Sequence, residues 1–380
     1  MKLVFKKDDL AFATQTVNNL VNPQSSLPIM SNILIRANSD EGVVDFVASD
    51  LESNVKCSAA AEIDQPFSVT APSATFTNLV RELPDAPISL ELLDDQVVIS
   101  CESLRYQLAT RDPVDFPVWP EFDIKTSLEL PQKALRRAIE CVVFAIPQRD
   151  PRKVLLGSLF DFEGQELKCV ATDGKKLGYI QLPVAEGSSA AKAASAIMPH
   201  KILSELLHTL KDEGTVKILF GERQVAFDLG SVLYVSNKLD GTYPDYNQII
   251  PKSFERTIRL NKQALTRTIR QAAIIADEKN HSVKMNFTAG GLNISAMTYD
   301  IGSFASSMAV DYAGDDYEIV FNHRYLSEVI RLIAQDELEL KVNNPGSPVV
   351  IVGVDVSDAL FVVMPIKITD LADTAEGEED

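Results

Sequence analysis

The sequence predicts an α+β fold built from three similar domains. Three observations point to it: one order of elements occurs three times, the apolar spacing within those elements matches, and the linkers between them match. The repeated order is strand, helix, strands, helix, strands, with a period of about 125 residues.

Each unit opens with a short strand leading into an amphipathic helix. These pairs are Leu3-Val4-Phe5 with Asp9 to Val21, Leu128-Glu129-Leu130 with Gln132 to Ile146, and Ile258-Arg259-Leu260 with Lys262 to Ala276. In the second helix Leu135, Ala138, Ile139, Val142, Val143 and Ile146 form one stripe at helical spacing, and in the third Leu265, Ile269, Ala272, Ala273 and Ala276 do the same. Paired strands follow, alternating as half-buried strands do: Ile33 to Arg36 with Val43 to Ser49, Leu159 to Phe162 with Leu167 to Thr172, and Val283 to Phe287 with Leu292 to Met297.

A second helix then spans Pro72 to Leu83, Pro199 to Lys211 and His323 to Gln335, with stripes started by Phe76, Leu203 and Leu326. Closing strands follow at Ile88 to Leu93 and Val97 to Cys101, Val216 to Phe220 and Gln224 to Phe227, and Leu338 to Val342 and Val349 to Val352. The linkers Asp115-Phe116-Pro117 and Thr242-Tyr243-Pro244 occupy matching places. Domains are expected at 1–121, 122–252 and 253–368, followed by a disordered acidic tail at 369–380.

With 46% apolar and 24% charged residues, the chain can bury several cores. No apolar run approaches the roughly 18 residues a membrane helix needs, and the N-terminus meets Asp8 and Asp9 too early for a signal-peptide core. The expected address is the cytoplasm, with Cys57, Cys101, Cys141 and Cys169 as reduced, buried thiols rather than metal ligands.

The formal net charge is −18, which argues against a surface that adheres to nucleic acid everywhere. Counted over the six predicted helices, however, the charge sums to +6. Cationic residues thus fall on elements whose inward stripe is apolar. Solvated helix faces often carry Lys and Arg for no further reason, but here the excess falls on equivalent elements of a repeat. Units joined edge to edge in an arc would turn these helices to the concave side. Two chains would close a ring with a mildly positive hole and an acidic exterior.

Five motifs then carry a resemblance over essentially the whole length: Leu27-Pro28-Ile29 with Asn32, Val114-Asp115-Phe116-Pro117, Val170-Ala171-Thr172-Asp173-Gly174 with Leu177, Tyr243-Pro244-Asp245-Tyr246, and Val363-Met364-Pro365. In this order and spacing the chain resembles the bacterial DNA polymerase III beta subunits, the sliding clamps. The resemblance implies the DNA clamp fold and a head-to-tail homodimeric ring around duplex DNA, with no cofactor, no metal and no catalytic residue. It implies that Tyr106 and Leu108 of one copy meet Ile274 and Ile275 of the other. It also implies a pocket between the second and third domains for short linear peptides of the replicative polymerase, the clamp loader and repair polymerases. The matching positions are Leu155, Thr172, Gly174, Lys175, Lys176, Leu177, Pro244, Gln248, Ile249, Val362, Met364, Pro365 and Ile366. Apolar floors of this kind accept varied side chains, and the lysines would steer polar or acidic peptide ends. On the residues alone, Asp173-Gly174 reads simply as a turn between strands.

For DNA, the resemblance points to Arg136, Arg137, Arg149, Arg152 and Lys201, while Gln24 and Ser73 stand where some relatives carry arginine. The acidic Asp370 to Asp380 extends beyond the usual end, either as a solubilising tail or as a shield over the pocket. Two other classes compete. An enzyme would use Asp50 and Asp173, at equivalent repeat positions, yet the third repeat has Met297-Thr298 there and no phosphate-cradling loop accompanies them; Gly290-Gly291 reads as a hairpin turn. A protein scaffold would share the peptide pocket but never meet DNA.

Overall fold

The computed structural model describes residues 1–38, 42–184, 193–356 and 358–367. The acidic tail from Asp370 onward, and Ile368 before it, lie outside the described residues. Six α-helices are described: α1 Lys7–Asn18, α2 Ser73–Glu82, α3 Gln132–Val143, α4 His200–Thr209, α5 Lys262–Ala272 and α6 His323–Leu332. Most of the predicted stripe is buried on α3, at Leu135, Ala138, Ile139 and Val142, and on α5, at Leu265, Ile269 and Ala272, while Val143 and Ala273 are half-buried; on α1 the buried face is Leu10, Ala13 and Val17. Each fully buried leucine or isoleucine of this kind contributes about 1.5–3 kcal/mol.

The ends differ from expectation in informative ways. α1 starts earlier and stops earlier than the stripe suggested, and α5 ends at Ala272, so Ile274 and Ile275 lie in the turn beyond it. Pro72 and Pro199 close the preceding strands and stand at the N-cap instead of inside the first turn.

By packing, the chain divides into two compact units. The first comprises Met1–Arg137, Asp161–Gln165 and Pro183–Leu239. It contains a sheet in the order Glu62–Ile63, Lys2–Phe5, Ile88–Leu93, Gln96–Cys101, Leu104–Ala109. Its larger sheet runs Thr126–Pro131, Thr215–Phe220, Gln224–Asp228, Val232–Asn237, Ser53–Ala60, Val43–Ser49, Asn32–Asn38, Phe67–Pro72. Strands of the first and second repeats therefore share one sheet, joined where Val232 faces Cys57 and Ser236 faces Ser53 in antiparallel register. The linker residue Phe116 is pinned against Leu34 and Val47, with Ile29 and Trp119 packed around it.

The second unit comprises Ala138–Phe160, Glu166–Leu182 and Asp240–Asp380. One of its sheets carries, in order, Glu166–Thr172, Lys176–Pro183, Ala359–Val363, Val349–Gly353, Glu337–Val342 and Arg256–Asn261. The second and third repeats join here by the same means, with Lys176 facing Val363 and Ile180 facing Ala359. The other sheet runs Gly302–Ala309, Gly291–Thr298, Ser282–Thr288, Tyr317–Asn322. Thr288 pairs with Gly291, so the hairpin turn is Ala289-Gly290, one residue earlier than the expected Gly290-Gly291, with Gly290 at φ +78° supplying the left-handed residue. Gly178 is required by packing: a Cβ there would lie 2.0 Å from the Cys141 carbonyl oxygen of α3.

The repeat shows most clearly at the helix ends. Lys7, the first residue of α1, donates its ammonium to the carbonyl of Leu83 at the C-cap of α2. Lys262 of α5 does the same to Ile333 at the C-cap of α6. A cation at the carbonyl end of a helix is favoured by its dipole. In the middle repeat Gln132 of α3 takes this place, accepting from the Lys211 N–H at 2.9 Å and donating to the Thr215 carbonyl at 3.1 Å. One of the helix cations counted from sequence, Lys262, is thus a structural clamp, and Lys7, which precedes the predicted start of its helix at Asp9, is a second.

Candidate functional site

The thirteen residues expected to form the peptide pocket all belong to the second compact unit. Its organising feature is the turn between Glu166–Thr172 and Lys176–Pro183. Asp173 Oδ1 accepts the N–H groups of Lys175 and Lys176, both at 2.8 Å. Gly174, at φ +87°, donates its N–H to Thr172 Oγ1 at 3.0 Å, and that hydroxyl donates to the Lys176 carbonyl at 2.8 Å. The turn is therefore closed by side chains as well as backbone, which holds its outer carbonyl in place. That carbonyl, of Lys175, accepts the N–H of Met364 at 2.8 Å. The C-terminal segment is thereby bound to the turn, and Ile366 is fixed further along by its N–H to Val320.

Of the expected apolar residues, Leu155, Leu177 and Val362 are buried at 1% exposure each, Pro365 is also buried, and Leu177 stands directly opposite Val362 in register. Met364, Ile249 and Ile366 are half-buried, while Gly174, Lys175, Pro244 and Gln248 are exposed. The linker is locked to this wall. Tyr243 is buried and its hydroxyl accepts the Thr172 N–H at 3.1 Å; burial raises its pKa, so it stays neutral. Its partner role was not anticipated, although the shared aromatic-proline pairs Phe116-Pro117 and Tyr243-Pro244 were the available signal.

Lys176 differs from expectation. Its side chain is only 10% exposed, its ammonium pairs with Glu328 Oε2 at 2.5 Å, and the rings of Phe144 and Tyr325 lie 5.3 and 5.1 Å away. It ties a strand to α6 instead of reaching solvent, and the exposed lysine at this rim is Lys175.

The cations expected to face DNA are similarly mixed. Arg152 grips Asp150 with two bonds, at 3.0 and 2.9 Å, which holds that carboxyl below the ordinary carboxylate range. Lys201 donates to Asp50 at 2.5 Å and to the Leu20 carbonyl at 2.9 Å. Arg136 lies 3.7 Å from Asp212. Arg137 is half-buried and Arg149 exposed. Gln24 is exposed, but Ser73 is fully buried and donates to Asn18 Oδ1 at 2.8 Å. A serine there seals a helix junction, so it does not bear on how phosphate is held.

Tyr106 and Leu108 alternate, half-buried, on Leu104–Ala109, the last strand of its sheet. Ile274 is 76% exposed and Ile275 half-buried, and the Ile275 carbonyl accepts from Thr298 Oγ1 at the end of the hairpin whose outer strand, Gly302–Ala309, is the last of its sheet. Asp50 and Asp173 are spent on turns, since Asp50 Oδ1 accepts the N–H groups of Glu52 and Ser53. Among the described residues no group of three or more His, Cys, Asp and Glu converges to hold a metal.

Comparison with known proteins agrees along the chain. Residues 1–120, 129–245 and 247–367 match the N-terminal, central and C-terminal domain families of the DNA polymerase III beta subunit. The beta sliding clamp of Caulobacter vibrioides is 31% identical, and that of Synechocystis 28%, each aligned over 97% of this chain and all of the relative. Among solved structures, the sliding clamp of Pseudomonas aeruginosa bound to griselimycin superposes with TM-score 0.92 at 26% identity, covering 97% of this chain and all of that one. The Bartonella birtlesii sliding clamp bound to griselimycin gives 0.91 at 27% identity with the same coverage. With three successive domain matches spanning nearly its whole length, the chain belongs to the DNA polymerase III beta subunit family, the bacterial beta sliding clamps.

Proposed function

We propose that the protein is a DNA sliding clamp: a homodimeric ring, closed around duplex DNA, of three clamp domains per chain at 1–121, 122–252 and 253–368. It acts without catalysis in the cytoplasm, tethering the replicative polymerase, the clamp loader and repair polymerases through peptides held at the Thr172–Leu177 and Val362–Ile366 wall. DNA is retained by enclosure, with Arg137 and Arg149 offering weak, salt-sensitive phosphate contacts.

One observation carries this reading. Two junctions between repeats are made by strand pairing: Ser53–Ala60 with Val232–Asn237, and Lys176–Pro183 with Ala359–Val363. The strands in the corresponding places at the two ends, Gly302–Ala309 and Leu104–Ala109, are each the last of a sheet. An unpaired edge is a template for another strand, and a third junction between the two ends of different copies satisfies both edges. Applied twice, it gives a closed dimer.

The test is mass and retention. Sedimentation should give a species near twice 41.7 kDa, and protein loaded on circular DNA should survive a high-salt wash yet leave once the circle is cut. A strict monomer, or loss that ignores linearisation, defeats the ring. For the peptide wall, Met364→Ala should weaken a labelled clamp-binding peptide by about tenfold, a loss of about 1.4 kcal/mol.

A further inference from the structure

Helix α1 is covered on two flanks within its own unit. α2 lies on one side. On the other, Lys211 after α4 sits 5.0 Å from the Phe12 ring, and Lys201 of α4 reaches the Leu20 carbonyl. A small groove of about 330 Å³ between these three helices is lined by Phe12, Gln15, Arg81, His208 and Thr209, among others. Helix α5 is the equivalent of α1, as the shared clamp by Lys7 and Lys262 fixes. One flank of α5 meets α6 across a groove of about 420 Å³. A groove of about 900 Å³ adjoins it along Lys262, Thr266 and Arg270 and continues over Arg267 and Ile274 to Asp336, with no residue of a second helix in its lining.

Counting along the helices from Lys7 and Lys262, Arg267 stands in the place of Phe12, Arg270 in that of Gln15 and Ile274 in that of Asn19. Counting back from the C-caps Leu83 and Leu210, Glu82 of α2 stands in the place of Thr209 and Pro84 in that of Lys211. Glu82 and the nearby Asp85 are exposed, as are Arg267 and Arg270. The groove that lacks a neighbour carries Arg267 and Arg270 beside Asp336, and the helix end that corresponds to the missing neighbour carries Glu82 and Asp85 beside Arg81 and the Lys7 ammonium.

We propose that the bare flank of α5 is covered by α2 of a second copy, and that Arg267 pairs with Glu82 of the partner subunit to form an electrostatic latch beside the strand junction. The proposal rests on the dimeric ring above and adds to it a specific charge pair. Within the chain this joint is an aromatic ring under a lysine. Between chains it is an ion pair, which is readable by salt where edge pairing and apolar contact are not. Two copies related by a twofold axis form the latch twice, so any change in it counts twice.

The experiment is a charge-reversal cycle, read as the dimer dissociation constant by sedimentation at several salt concentrations. Arg267→Glu and Glu82→Arg should each weaken the dimer by about tenfold or more at low salt. The double variant Arg267→Glu/Glu82→Arg should return close to the wild-type constant. Both side chains are exposed, so the far-UV circular dichroism of each variant should match wild type, which separates weakened assembly from failed folding. A wild-type dimer indifferent to Arg267→Glu, or a double variant no better than the singles, overturns the latch and leaves the ring standing. A wild-type monomer overturns the ring itself.

Discussion

Asp50 and Asp173 close the same turn in successive repeats, each using Oδ1 to accept the N–H groups two and three residues ahead. In both turns the following residue is left-handed, but one is Gly174 at φ +87° and the other Leu51 at φ +75°. From sequence the two acids invited comparison with a catalytic pair. Their hydrogen bonds make them turn formers, and the turns differ in how much strain they hold.

Leu51 is 59% exposed, so its side chain returns little for the left-handed backbone it is forced into. Leu51→Gly should leave stability unchanged or raise it by up to about 1 kcal/mol. Gly174→Ala should lower it by about 1 kcal/mol. Urea unfolding of both variants checks the contrast. A loss at Leu51→Gly as large as that at Gly174→Ala would show that the strain assigned to Leu51 is not there.

Lys176 and Glu328 form a mostly buried pair between a strand and α6. Removing the acid strands an ammonium between two rings, whereas Lys176→Met keeps the packing and removes the charge that needs a partner. Glu328→Ala should cost about 1–2 kcal/mol, discounted from a fully buried pair because Glu328 is partly exposed, and Lys176→Met should cost less. Chemical denaturation of the two single variants and the double variant resolves the order. Equal losses would argue that the charge pairing is immaterial.

The pH response should be set partly by His323. Burial lowers its pKa first, and His281 and Arg324 lower it further, against an opposing pull from Asp277. The unfolded chain then takes up the proton before the folded one does. Stability from this group is complete above the ordinary pKa of 6.5 and falls as pH drops from there toward the depressed folded value. His200, lowered by burial, adds in the same direction. Melting temperature should decline on acidification below about 6.5, and His323→Gln should flatten that decline. An unchanged profile in the variant would assign the effect elsewhere.

All four cysteines are buried, and none is in a disulfide. Burial pushes the Cys57 thiol up to about 12 and raises Cys101 and Cys169 as well. Thiolate is the reactive form, so a thiol reagent at pH 8 should label the folded protein only as fast as it opens, and label all four sites in denaturant. Rapid native labelling of any cysteine would contradict this burial.

The element order and the inward face of five of the six helices could be read from the sequence, because apolar spacing reports local geometry directly. Phe76, Leu203 and Leu326 are buried where equivalent stripes placed them. The turn at Asp173-Gly174 was legible from its residue types, which close it as expected. What charge means at each position was not legible. Lys7 and Lys262 cap helices, Lys176 and Lys201 hold acids, and Ser73 seals a helix junction. A charged side chain's partner is chosen by residues far away in the chain, and no local period encodes that distance. The free edges at Leu104–Ala109 and Gly302–Ala309 were decided the same way: an edge exists only once every other strand has found its neighbour.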